Sequence, residues 1–282
     1  VQSTIAIICD CDDTLMPDTT NFLLEENGID SRVFWKKIAG MVKLGWDPPQ
    51  AYTSEIIRLM QQNKIEQNTR KKLAGLGRRI IPFDGVPKFI SQLKSFVLEK
   101  SEFVEAQVGM EFYIISSGFE DLIGGTKVAP HVTDIFAGRF SENNETKRIN
   151  GIKSTVTFTE KTKFVYAINK GIHGKEIRRC PFIINEAVRA ENRRVPFEHM
   201  IYIGDSPGDI PCFSTIKSNG GHCIGVMGRQ TVRKGYELAR GNRTTVGPYT
   251  RNYTRNSDLY NMLETIISEI GSKIADRRAR NL

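Results

Sequence analysis

Ile5-Ala6-Ile7-Ile8-Cys9-Asp10-Cys11-Asp12-Asp13-Thr14 passes from an unbroken apolar run into a cluster of carboxylates. A short apolar run bounded by polar residues is the pattern of a strand buried on both faces of a parallel sheet. The carboxylates stand at its carboxyl end, where open α/β sheets bind their ligands. Two later segments repeat the pattern. Phe112-Tyr113-Ile114-Ile115 ends at Ser116-Ser117-Gly118, and Met200-Ile201-Tyr202-Ile203 ends at Gly204-Asp205. His222-Cys223-Ile224-Gly225-Val226 is a weaker fourth strand. Polar strand ends from distant parts of the chain are therefore expected to converge on one site. The fold class is expected to be α/β, a Rossmann-like three-layer sandwich around a mostly parallel sheet.

Between Leu15 and Ile81 no comparable strand occurs, and Ser31–Val42 and Ala51–Gln61 carry apolar residues at helical spacing. This stretch reads as a helical insertion after the first core strand. Pro82-Phe83-Asp84-Gly85-Val86-Pro87 is a turn, and a helix over Val86–Leu98 returns the chain to the core. The division expected is a core of residues 1–15 and 82–282 with a helical cap at 16–81. Phe136–Phe158 reads as a hairpin turning at Asn150-Gly151. Helices are expected from Lys163 through Ile168, ending at Gly171, and over Pro181–Asn192. A last helix is expected from Asp258 to about Ile274, with a basic end at Arg277, Arg278 and Arg280.

The 282 residues are 39% hydrophobic and 26% charged, a soluble globular composition. No apolar run approaches the ~20 residues that span a bilayer. The chain enters its first strand without a basic lead, which predicts no secretory signal. Its five cysteines are widely spread and lack metal-ligand spacing, which predicts neither a disulfide framework nor a zinc site. A reducing, cytoplasmic location follows as the expectation, with Cys9 and Cys11 as core packing. The formal charge of +8 is uneven: Arg229, Arg233, Lys234, Arg240, Arg243, Arg251 and Arg255 face Glu237 alone between residues 228 and 255. That stretch is a candidate polyanion contact.

Crowded carboxylates repel unless a cation or a shared proton relieves them. An oxygen-only cluster suits magnesium, which also binds substrate phosphate. One carboxylate can attack phosphorus while another, two residues on, handles the leaving group's proton. Gly204-Asp205-Ser206-Pro207-Gly208-Asp209 adds two carboxylates across a tight turn. Ser116 offers a hydroxyl and, with Ser117 and Gly118, exposed backbone N–H groups for phosphate oxygens. A fixed positive charge is also needed, and Lys161 and Lys163 are candidates.

In that order these residues resemble the haloacid dehalogenase superfamily, whose Asp-x-Asp-x-Thr signature is matched by Asp10-Cys11-Asp12-Asp13-Thr14. The resemblance covers roughly residues 1–15 and 82–228. It implies that Asp10 is the nucleophile and a magnesium ligand. Asp12 is implied as the general acid and then base, with its backbone carbonyl on the metal. Ser116 is implied to bind phosphate, Lys163 to be the motif lysine because a helix follows it, Asp205 to ligate magnesium directly, and Asp209 to act directly or through water. Dehalogenases lack the second aspartate, so Asp12 points to phosphoryl chemistry.

The insertion is placed like a cap that excludes water from the reaction. Among members of the superfamily the arrangement most resembles phosphoserine phosphatases. It departs from them where their amine-binding glutamate stands, since this chain has Pro17-Asp18-Thr19-Thr20. The function expected is magnesium-dependent hydrolysis of a small phosphorylated metabolite. A phosphatase of phosphoproteins or nucleic-acid ends, a phosphotransferase and a non-catalytic binding protein are the alternatives.

Overall fold

The computed structural model describes residues 2–228 and 231–280. Its strands are β1 (Thr4–Cys9), β2 (Gly109–Phe119), β3 (Asp134–Glu142), β4 (Ile149–Ser154), β5 (Met200–Gly204), β6 (His222–Met227) and β7 (Val246–Thr250). They form one seven-stranded sheet in the order β4-β3-β2-β1-β5-β6-β7. Every pairing is parallel except that of β3 with β4. β1 is central, with Ile7 opposite Phe112 of β2 on one side and Ile201 of β5 on the other. The chain builds outward on one side of β1 and then returns to build on the other. The switch in strand order thus falls beside β1, where such sheets open a crevice for ligands.

Helices cover both faces, and the alternation along β1 shows why its run had to be apolar. Ile5, Ile7 and Cys9 join one core cluster, while Ala6 and Ile8 join the other. The first cluster packs against α5 (Lys88–Leu98), the short α6 (Ser101–Glu105) and the C-terminal helix, through Phe89, Leu93, Phe103, Leu263 and Ile267. The second takes Phe164, Val165 and Ile168 from α8 (Glu160–Lys170) and Phe213 and Ile216 from α10 (Ile210–Ser218). The remaining core helices are α7 (Glu120–Gly124), α9 (Gly174–Arg179), α11 (Val232–Arg240) and α12 (Asp258–Arg280). The expected three-layer sandwich is present.

The helical cap inserted after the first strand is α1 (Thr19–Glu25), α2 (Ser31–Lys43), α3 (Pro48–Gln61) and α4 (Arg70–Gly77). Each starts where a side-chain oxygen accepts a free backbone N–H, from Asp18, Asp30, Asp47 and Thr69 respectively. Such caps stabilise a helix by about 1 kcal/mol each. Between α2 and α3 the buried Glu55 accepts from Lys37 Nζ at 2.6 Å and from Arg58 Nε at 2.8 Å.

The cap meets the core backbone to backbone. A Cβ on Gly125 would lie 2.0 Å from the carbonyl oxygen of Ala74, and one on Gly77 would lie 2.1 Å from that of Leu122. No side chain fits there, so α4 and the end of α7 can touch only through glycine. Gly125→Ala should therefore destabilise the protein by about 1–3 kcal/mol, the cost of forcing apart a packed contact. Urea denaturation reads it, and an unchanged midpoint would contradict the close approach.

Several local expectations are corrected. The β3–β4 hairpin turns at residues 143–148, where Asn143 Oδ1 accepts from the backbone of Glu145 and Thr146 at 2.9 Å each. Asn150-Gly151 lies within β4 instead. In place of a helix over Pro181–Asn192 there are two short 3₁₀ turns, Pro181–Asn185 and Ala190–Asn192. β7 was unanticipated because Pro248 interrupts it, and it is an edge strand, where proline is tolerated. All five cysteines are free, with Cys9 and Cys11 buried. Among the described residues no helix is long and apolar enough to cross a membrane.

Candidate active site

The carboxyl ends of β1, β2 and β5 do converge. β1 and β5 are held in step past their last paired residues, since Asp10 N donates to Ile203 O at 2.9 Å. This puts Asp10, the residue after β1, beside Asp205, the residue after β5. The 3₁₀ turn Pro207–Asp209 then folds Asp209 back, so Asp10, Asp205 and Asp209 present oxygens within 4.8 Å of one another. All three are buried, at 6%, 3% and 0% exposure.

One cation enters this cluster. Lys161 Nζ stands 3.0 Å from Asp10 Oδ1 and donates to Asp209 Oδ1 at 2.8 Å, with only 3% of its side chain exposed. Lys161 lies on the first turn of α8, on the same face as Phe164, Val165 and Ile168 at the three, four and seven spacings of a buried stripe. Lys163 points elsewhere. It pairs with Glu160 and lies 4.7 Å from the ring of Phe164, outside the aspartate cluster. The lysine that meets the aspartates is thus Lys161, and Lys163, expected as the motif lysine, is not brought to them. The physical reason is helix phase: two residues turn a helical side chain roughly 200° away.

Asp209 is already saturated. Its Oδ1 accepts from Lys161 and from Tyr202 Oη at 3.0 Å, and its Oδ2 accepts from Ser206 N at 3.3 Å and Ser206 Oγ at 3.2 Å. It fits an anchoring part better than that of a free ligand. Tyr202 and Ser206 are neighbours that the sequence reading missed.

Asp12 stands on another side of the crevice. Its Oδ1 accepts from Thr19 N at 2.7 Å, which ties it to the start of the cap. Ser116 is fully buried, and its Oγ accepts from Gly118 N at 2.9 Å. A Cβ on Gly118 would lie 3.0 Å from Asp12 Oδ2, 3.2 Å from Ser116 Oγ and 3.3 Å from Thr19 Oγ1. Three polar side chains therefore surround one small space above Gly118. Thr19 Oγ1 is buried without a hydrogen-bond partner, as is Ser117 Oγ. The cap closes over this space through Tyr52, whose hydroxyl donates to the carbonyl of Ser117. Tyr52 also lies edge-on between Trp35 and Phe119, at 5.6 and 6.1 Å between ring centres.

The electrostatics show what the residues lack. Burial, and then repulsion from Asp209, pushes Asp10 up to about 7. Burial, and then Asp10 and Asp209, pushes Asp205 up to about 8. Burial and then Asp18 raise Asp12 to about 7. Burial works against the charge of Lys161, yet Asp10 and Asp209 more than offset it and hold it protonated. Among the described residues three carboxylates meet one ammonium, which leaves a buried deficit of positive charge. A divalent cation held by oxygens would supply that charge, and the donor set is compatible with one.

Asp13 belongs to a different constellation. Its Oδ1 accepts from Arg251 Nη1 at 2.7 Å, and it is not one of the three clustered aspartates. One cation of the basic 228–255 stretch is therefore spent inside the molecule, and Arg233 pairs with Glu237. Arg229 lies outside the described residues.

The architecture, a Rossmann-like core with a helical cap after its first strand, matches the one implied by the resemblance to the haloacid dehalogenase superfamily. No family model matches the chain. It is 28% identical over 289 residues to an uncharacterized protein of Borreliella burgdorferi, covering 93% of this chain and 96% of that one. A phosphoserine phosphatase crystal structure in apo form matches with a TM-score of 0.53 at 17% identity, over 93% of this chain and 98% of that one. Cytosolic 5′-nucleotidase IIIB bound to cytidine matches with a TM-score of 0.51 at 13% identity, over 96% and 87%.

Proposed function

We propose that the protein is a magnesium-dependent phosphatase that hydrolyses phosphate monoesters of small metabolites through a phospho-aspartyl intermediate on Asp10. The observation that carries this reading is the meeting of Asp10, Asp205 and Asp209 with Lys161 at one end of a space whose other walls are Asp12, Ser116 and Thr19. Asp10 and Asp205 would hold magnesium with the backbone carbonyl of Asp12, while Asp209 orients Lys161. When bound, magnesium neutralises the carboxylates and draws charge from the phosphoryl oxygens.

The residues then divide the chemistry. Lys161 favours the ionised, aligned form of Asp10, and the Ser116 hydroxyl, held in place by the Gly118 N–H, donates to a phosphoryl oxygen. A carboxylate oxygen of Asp10 attacks phosphorus, the ester P–O bond breaks, and Asp12 gives its proton to the leaving alcohol. Asp12, now ionised, takes a proton from water as that water attacks phosphorus. The bond from phosphorus to Asp10 breaks, inorganic phosphate leaves, and Asp12 is again protonated.

Ser116 and Thr19 are buried and Asp12 is half-buried beneath the cap, so substrate enters when the cap lifts and reacts when it shuts out water. Pro17-Asp18-Thr19-Thr20 stands where phosphoserine phosphatases carry their amine-binding glutamate, and the absence of that glutamate argues against phosphoserine itself. The names of the two similar structures, a phosphatase and a nucleotidase, agree with phosphate-ester hydrolysis.

A panel of phosphorylated metabolites, assayed for phosphate release with magnesium and with a chelator, tests the reading. Turnover is expected with magnesium and is expected to fall to background on chelation, returning when magnesium is restored. Thermal melting of the same samples should show stabilisation by magnesium, because a cation that binds only the folded protein shifts unfolding by mass action. Turnover that ignores the chelator would contradict it.

A further inference from the structure

We infer that Arg251 is a positioning residue of the phosphoryl-transfer site, holding the turn that follows the nucleophile through Asp13. The inference rests on the function proposed above and adds to it a part supplied from the far end of the chain.

Asp13 adopts φ 55°, in the left-handed region that residues other than glycine seldom occupy. Something must hold it there. Its N–H donates to Met16 O at 2.8 Å, which closes the turn. Arg251 Nη1 donates both to the main-chain oxygen of Asp13 at 2.9 Å and to its Oδ1 at 2.7 Å. One guanidinium thus fixes the backbone and side chain of one residue together.

The guanidinium is itself confined. It lies 4.2 Å from the ring centre of Phe83, and a Cβ on Gly228 would come within 2.4 Å of its Nη2. A flat cation between an aromatic ring and a bare backbone has little freedom to shift. Two residues on, Tyr253 repeats the contact, its hydroxyl donating to Thr14 O at 3.0 Å. Tyr253 is fully buried, its N–H donates to Asp84 O at 2.7 Å, and its ring lies 4.7 Å from that of Phe89. The loop after β7 therefore grips two successive carbonyls of the turn and is itself anchored in the core.

What this grip sets is the place of Asp12. That residue directly precedes Asp13, and its side-chain Oδ1 accepts from Thr19 N at 2.7 Å. With the Asp13 end released, Asp12 would drift relative to Ser116 and the space above Gly118. A displaced proton donor slows the chemical step more than it weakens binding.

The test compares the parent with Arg251→Ala and Arg251→Lys, using p-nitrophenyl phosphate turnover, magnesium titration by calorimetry, and thermal melting to set the folded fraction. Arg251→Ala is expected to lower kcat per folded molecule or magnesium affinity by about 10–100-fold, as for residues that orient a metal site from behind. KM should stay within about twofold, the mark of an interaction made in the transition state. Arg251→Lys should recover part of the loss, since it keeps the charge without the planar fork. Unchanged kcat and magnesium affinity in folded variants would overturn the inference. A parent that binds magnesium without turning over removes the phosphatase reading, and the ratio of magnesium affinities then decides the Arg251 inference alone. A parent that does neither overturns both.

Discussion

Asp10→Asn is expected to abolish magnesium-dependent phosphate release, by at least roughly a thousandfold, as for loss of a catalytic nucleophile. The amide keeps the shape of the side chain but cannot attack phosphorus. Folding should survive, because Lys161 retains Asp209 as a partner at 2.8 Å and the substituted group remains polar. Relief of repulsion also helps, since Asp10 stands against two other buried carboxylates. The variant should melt near the parent without magnesium and gain less from adding it. Turnover within tenfold of the parent, in a variant shown to be folded, would remove Asp10 from the nucleophile's place.

The second large effect is expected at Lys161 and is sharpened by its neighbour. Lys161→Met keeps the length of the stem and removes the cation between Asp10 and Asp209. Breaking a buried ion pair by deleting one partner costs about 3–5 kcal/mol. Loss of a fixed charge at the phosphoryl site should lower kcat by about 100–1,000-fold. The same change at Lys163 should do almost nothing to either quantity, because its side chain is one-third exposed and pairs with Glu160 on the surface. Melting curves and initial rates of the two variants decide it. A larger loss from Lys163→Met would reverse the assignment.

That pair also shows where the sequence was sufficient and where it was not. Strands were legible because burial on both faces forces an apolar run, and the β1, β2 and β5 ends were legible because polar residues stop those runs abruptly. The cap helices α2 and α3 were legible from the helical spacing of apolar residues over Ser31–Val42 and Ala51–Gln61, and in the structure Asp30 and Asp47 cap their starts. Proximity to a following helix does not distinguish Lys161 from Lys163, whereas the phase of that helix does. Lys161, Phe164, Val165 and Ile168 share one face of α8, and counting back from the apolar stripe would have found it.

Other features had no local signal. The contact between Arg251 and Asp13 spans 238 residues and depends on how β7 meets β6 at the sheet edge. The start of the cap at Thr19 reaches Asp12 only because α1 begins where Asp18 caps it. The turn between β3 and β4 was misread because Asn-Gly is a strong hairpin signal. Here the chain turns earlier, at Asn143, whose side chain supplies the acceptor for two backbone N–H groups.

The central claim is that Asp10 becomes phosphorylated, and its most direct test is formation of a beryllofluoride adduct observed by fluorine NMR. Beryllofluoride bound to a carboxylate has the shape and charge of an acyl phosphate. With magnesium, the parent is expected to give bound fluoride signals that vanish on chelation and are missing from folded Asp10→Asn. A folded parent that binds magnesium yet shows no bound signal, or an adduct that persists in Asp10→Asn, would contradict the account.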